Sequence, residues 1–153
     1  MTAKTYLIAA LLAPCAIVAP VDAGDWNGHE QLLMAHPTIQ EIHKIHCRHR
    51  INNNRKPQRL NGHLCRLAQE WAEHMSSTGS FNHSNYSFSE NIACGSNNSQ
   101  GTMNQWINSR GHNANLLSGE SQVGFGVSRS RDGQKYWCSL HGSGHKGDYN
   151  GID

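Results

Sequence analysis

Two histidines and one glutamate stand where this chain could do chemistry. His83 lies in FNHS, Glu90 in SENIA and His112 in SRGHNANLL. Each falls at a junction between a polar loop and an ordered stretch, where side chains face solvent or a cleft rather than a core. Two imidazoles and a carboxylate can hold a divalent metal such as zinc with one position left open. That open position would polarise a ligand or activate water. Without metal, Glu90 can serve as a general base with an imidazole partner. The plainer alternative is that each side chain satisfies a local backbone group. The separations match no local metal signature such as HExxH, so spacing alone does not choose between these readings.

Other nucleophiles are poorly supported. Ser109 lies three residues before His112 and could share a helix face with it, and Ser84 and Ser89 neighbour His83 and Glu90. No G-x-S-x-G elbow is present. A rival metal set is the row His43, His46 and His49. At 3.6 residues per turn such a row drifts by about 60° per step, so neighbouring pairs could chelate an ion but all three together would be strained. The row reads as partly solvated with one ring packed, and metal capture by this helix is the weakest functional reading.

These residues need elements to position them. His36-Pro37 opens a helix carrying Ile39, Ile42 and Ile45, which runs to about Arg50 before Asn52-Asn53-Asn54 and Pro57 break it. Asn61 caps a second helix with one apolar stripe: Leu64, Leu67, Ala68, Trp71, Ala72 and Met75. The stripe assigns Trp71 and Met75 to packing. Residues 80–90 are a Ser- and Asn-rich loop, followed by a short strand at Ile92-Ala93. Met103, Trp106 and Ile107 mark a third helix, and a short fourth ends at Leu116-Leu117. The period then changes to two. Val123, Phe125 and Val127, a turn at Arg131-Asp132-Gly133, then Tyr136, Cys138 and Leu140 predict a β-hairpin. Helices followed by strands give an α+β or layered sandwich architecture.

The bulk composition limits partners and compartment. The chain has 153 residues, enough for one domain, and a formal net charge of +2. That bias is too weak to imply nucleic acid. Arg48, Arg50, Arg55, Lys56 and Arg59 crowd one region, which reads as a solvated loop after a helix. Residues 1–23 read as a signal peptide: Lys4, an apolar run from Tyr6 to Ala19, and Val21-Asp22-Ala23 as the cleavage site. The run is short for a membrane span. Leu12-Ala13-Pro14-Cys15 invites a lipoprotein reading, which Pro14 opposes. Residues 24–35 read as a polar lead-in, 36–142 as the domain and 143–153 as a flexible tail. Removal of the leader leaves Cys47, Cys65, Cys94 and Cys138, an even count that suggests two disulfides with three possible connectivities. Asn82-His83-Ser84, Asn85-Tyr86-Ser87 and Asn97-Asn98-Ser99 match glycosylation sequons.

The ordered series HCRHR (46–50), LNGHLCRLAQEWAEHM (60–75), FNHS (81–84), SENIACG (89–95), QWINSRGHNANLL (105–117), VGFGV (123–127) and YWCSLHG (136–142) resembles the CAP superfamily. These are the cysteine-rich secretory, antigen 5 and pathogenesis-related 1 proteins, or SCP domains, and the compact spacing is similar to their bacterial extracellular branch. The resemblance runs from about His36 to Gly142. It implies a three-layer α-β-α sandwich with a cleft carrying two histidines and two acidic residues. Three of those positions fall on His83, Glu90 and His112, with His83 and His112 as possible metal ligands. The second acidic position is Ser109. Cys47 stands where the family usually has Asn, which suggests a Cys47–Cys94 link and leaves Cys65 with Cys138. The implied function is a secreted, monomeric binding module for a small apolar ligand such as a lipid or sterol, a glycan or a partner. The alternative is a metal-assisted or acid–base hydrolase of peptidase type, using the same cleft. The missing second carboxylate and the absence of a clear nucleophile favour binding over enzyme action.

Overall fold

The structure is a computed structural model and describes residues 26–144. The expected signal peptide and the tail from residue 145 onward lie outside the described residues. Five helices run α1 (Trp26–Ala35), α2 (Pro37–Asn52), α3 (Gly62–Thr78), α4 (Ser99–Ile107) and α5 (Arg110–Leu116). Four strands run β1 (Arg59–Leu60), β2 (Ser89–Cys94), β3 (Gln122–Arg129) and β4 (Lys135–Gly142). The sheet order is β1-β3-β4-β2, with β1 parallel to β3 and the other pairs antiparallel. Helices cover both faces, which makes the α-β-α sandwich that the resemblance implies.

The periodicities account for most of these elements. Pro37 occupies the first turn of α2, and His36 Nδ1 accepts from the Thr38 amide. The Asn61 side chain accepts from the Leu64 amide, as its capping position predicts, and Gly79 ends α3 in the left-handed region. Successive strand residues face opposite layers. Tyr136, Cys138 and Leu140 therefore meet Leu64, Ala68, Ala72 and Met75 of α3. Trp137, Phe125 and Val123 meet Ile39 and Ile42 of α2 and Met103 and Trp106 of α4. β4 is buried on both faces because a helix lies over each.

The tightest contact is α3 on β3. A Cβ at Gly124 would stand 2.1 Å from the carbonyl carbon of Leu64, and one at Gly126 would stand 2.3 Å from that of Ala68. The alternation of glycine with Val123, Phe125 and Val127 gives β3 one bare face and one bulky face. The bare face lets helix backbone lie against strand backbone.

Several expectations need correction. Residues 24–35 are not a plain polar lead-in, since α1 occupies most of them. It docks on α3 through the buried Glu30, whose Oε1 accepts from Arg66 Nε at 3.2 Å, and through Leu33 and Met34. Its polar composition hid that role. Trp71 packs against the α3-side core as its stripe predicts, and from its half-buried position its Nε1 also donates to the Asn82 carbonyl at 2.9 Å. Arg50 is buried rather than solvated, because its guanidinium donates to the Leu116 and Lys56 carbonyls. Arg48, Arg55, Lys56 and Arg59 are exposed as expected. The expected Cys47–Cys94 and Cys65–Cys138 links are not formed, and all four thiols are free. Cys47 lies beside Gln58, which leads into β1 at one sheet edge, whereas Cys94 ends β2 at the other. Three strand spacings of about 4.8 Å separate those edges, beyond the reach of a disulfide. Cys65 and Cys138 belong to different core clusters.

Two buried histidines add a pH term to stability. Burial lowers His46 to a pKa of about 3, and burial also holds His141 well below its ordinary value. Both are neutral in the folded chain, while the unfolded chain protonates them near 6.5. The His46 contribution is therefore full above about pH 6.5 and is lost as pH falls toward 3, by about 1.4 kcal/mol per pH unit, and His141 acts in the same direction. Denaturant unfolding across this window should show His46→Gln flattening the slope by about that amount. Gly124→Ala should cost about 3 kcal/mol or more by overpacking. Gly111→Ala, which meets nothing within 4 Å, should be neutral or slightly stabilising in the same assay.

Candidate functional site

The candidate residues lie along β2, which among the described residues pairs only with β4 and leaves its other edge free. Glu90 sits on this strand and points to the α3 side, with Oε2 at 3.9 Å from the Cys138 thiol. The loop after α3 brings His83 against it. His83 Nδ1 donates to Glu90 Oε1 at 2.6 Å, and the Ser84 amide donates to the same oxygen at 3.0 Å. Trp71 holds the loop one residue earlier through the Asn82 carbonyl. The His83 side chain remains 61% exposed, while that of Glu90 is only 6% exposed. With Nδ1 as the donor, His83 offers Nε2 outward as an acceptor.

α5 supplies His112 on the free-edge side. The Asn115 amide donates to the Glu90 carbonyl at 3.1 Å and to Asn91 Oδ1 at 2.9 Å, and Asn91 Nδ2 donates to the His112 carbonyl at 3.2 Å. The Trp106 indole of α4 donates to the Ile92 carbonyl at 3.1 Å. The outward carbonyls of Glu90 and Ile92 are thus both taken by side chains. Two acceptors of an exposed strand edge are thereby withdrawn from further pairing. Burial lowers the His112 pKa, and the nearby His83 lowers it further, so His112 is neutral at physiological pH.

His83, Glu90 and His112 are thus gathered around β2. Ser109 precedes the first residue of α5, and its hydroxyl makes no capping bond. The row on α2 separates: His43 Nε2 bonds the Gln58 carbonyl, His46 Nε2 the Leu116 carbonyl and His49 Nε2 the Asn113 side chain. Metal capture by all three is excluded by these directions. His46 and His49 instead hold α5, since the partners of both lie on it. Asn91 and Asn115 escaped the sequence reading. The usable signal was their place beside Glu90 and one turn after His112, where a buried or half-buried amide needs partners.

The donor set does not fit a resident catalytic zinc. Such a site takes three protein ligands. Here the Glu90 oxygens are already engaged, which leaves two imidazoles. Among the described residues no group of three or more His, Cys, Asp or Glu side chains converges around a common point.

Residues 44–141 match the family described as CAP, the cysteine-rich secretory protein family, and the chain belongs to it. An outer surface protein from Borrelia burgdorferi superposes with a TM-score of 0.61 at 18% identity, covering 68% of this chain and 90% of that one. Venom allergen-like protein 4 from Schistosoma mansoni gives 0.55 at 13% identity, covering 71% and 90%. Hookworm platelet inhibitor gives 0.51 at 18%, covering 82% and 74%. At these identities the likeness is one of fold. No curated protein sequence matches.

Titration by NMR should place His112 below the ordinary histidine range. In His83→Ala its midpoint should rise, yet stay below that range, because burial is the larger cause.

Proposed function

We propose that this chain is a secreted CAP-domain binding module. Its His83–His112 cleft engages a small apolar ligand such as a lipid or sterol, a glycan or a partner surface outside the cell. The observation that carries this reading is the commitment of Glu90. Its Oε1 takes both His83 Nδ1 and the Ser84 amide, its Oε2 lies 3.3 Å from that same amide, and the group is nearly inaccessible. A general base must reach a substrate proton. This carboxylate instead fixes a loop and an imidazole, which is how a recognition surface is preorganised. The second acidic position is occupied by Ser109, so no carboxylate stands there to take over. Membership of the cysteine-rich secretory family supports an extracellular setting, as does likeness to an outer surface protein and a venom allergen-like protein. Among the described residues no helix is long and apolar enough to cross a membrane.

Hydrolysis is the second reading. A carboxylate-backed imidazole at His83 beside a neutral His112 is a usable acid–base pair. One set of measurements separates the two. The exported chain is compared by native and denatured mass, then screened against a glycan array, sterol-containing vesicles and a peptide library. Binding to a glycan or vesicle that His83→Ala/His112→Ala removes and Glu90→Gln only weakens is the expected result. Peptide turnover abolished by Glu90→Gln with the fold intact would replace binding with catalysis. So would a divalent ion in the native mass that the double variant loses and turnover requires.

A further inference from the structure

α2 carries chemistry that the cleft does not use. His43 and Cys47 are four residues apart and therefore lie one above the other on the helix. His43 Nε2 stands 3.3 Å from Cys47 Sγ and 2.8 Å from the Gln58 carbonyl oxygen. The same oxygen is 3.9 Å from the sulfur. Nitrogen, sulfur and oxygen thus close a small triangle.

The triangle has the dimensions of one face of a tetrahedral site. Metal–ligand bonds of about 2.0–2.3 Å in tetrahedral geometry set donor atoms about 3.3–3.6 Å apart. The three edges fit within about half an ångström, and the nitrogen–oxygen edge must open most. The surroundings fix the donors. The His43 ring lies against Phe125 at a centroid separation of 6.4 Å. The buried Gln58 is held by its side chain, which accepts from His141 Nδ1 at 2.9 Å and donates to the Glu120 carbonyl at 2.9 Å. His43 and Cys47 are themselves half-buried, so an ion can reach them.

We propose that His43, Cys47 and the Gln58 carbonyl bind a borderline or soft cation of the zinc class, with water completing the shell. Thiolate and imidazole select such ions over magnesium or calcium. In the free chain Nε2–H donates to the Gln58 carbonyl; on binding, the thiol proton leaves to solvent, Nε2 loses its proton to solvent while Nδ1 takes one up, and the freed Nε2 lone pair faces the ion. The site differs from the histidine row in using a single histidine of it. It is independent of the His83–His112 cleft and of the function proposed for that cleft.

The test uses the full chain with its thiols kept reduced, and cadmium as the probe. The thiolate-to-cadmium charge-transfer band reports the sulfur directly, and zinc should compete it away. One ion per chain is expected. Cys47→Ser and His43→Gln should each weaken binding by about tenfold or more. Cys94→Ser and the His83→Ala/His112→Ala pair should leave it unchanged. Circular dichroism checks each fold, and Cys47→Ala substitutes if the serine variant does not fold. The assignment is overturned by the absence of a band, by a band that survives loss of Cys47, or by an affinity indifferent to His43→Gln.

Discussion

The contact of α3 with β3, backbone against backbone, sets the rest of the molecule. It exists only because Gly124 and Gly126 present no side chain to Leu64 and Ala68. With the helix axis fixed that close, Leu64, Ala68, Ala72 and Met75 reach across β4 to Ile92 of β2. The far end of the same helix bears Trp71, which pins the Asn82 carbonyl. The placement of His83 is therefore inherited from a strand far along the sequence. A wider α3–β3 spacing would move Trp71, the loop and the imidazole together.

The other wall of the cleft depends on a polar clamp rather than an apolar one. α5 has seven residues, and among them only Leu116 is buried. So short a helix has little intrinsic stability. It is held from below by α2, where His46 and Arg50 both donate to the Leu116 carbonyl at 3.1 and 2.6 Å and His49 bonds Asn113. It is held from the side by Asn91 and Asn115 on the free edge of β2. Burying a guanidinium and two imidazoles in this layer costs solvation. The depressed His46 and His141 pKa values are the record of that cost. What it secures is the position of His112.

The layered fold was legible because its apolar residues keep strict periods, 3.6 in α3 and two in β3 and β4. The hairpin turn was legible because Gly133 takes a positive φ of 90° at its tip. The positions of His83, Glu90 and His112 drew notice because each sits at an element junction. α1 was not legible, since it buries few apolar groups and relies on Glu30 with Arg66, a pairing that no local pattern announces. Nor was β1, whose two residues gain strand character only from pairing with Gln122 and Val123. One packed ring in the histidine row of α2 was expected and is His46, whereas the burial of Arg50 was not foreseen. The α5 partners of His46, His49 and Arg50 lie more than sixty residues away, and nothing in HCRHR marks those partners. The cysteines misled in the opposite direction: an even count says nothing about which sheet edge each thiol occupies.

The difference between a binding cleft and a catalytic one here comes down to which way Glu90 faces. Its backbone carbonyl points to the free edge and is held by Asn115, while its carboxylate turns to the α3 side and is held by His83 and the Ser84 amide. The carboxylate and the carbonyl of the residue are thus both engaged in structure. What the cleft shows outward is His83 Nε2 and a neutral His112, two weak bases without a free carboxylate between them. In the binding role proposed above, such an edge would recognise uncharged polar or weakly amphipathic groups. Stabilising charge as it develops in a transition state would require donors aimed at the reacting atom, and the carboxylate that could tune them is already facing inward.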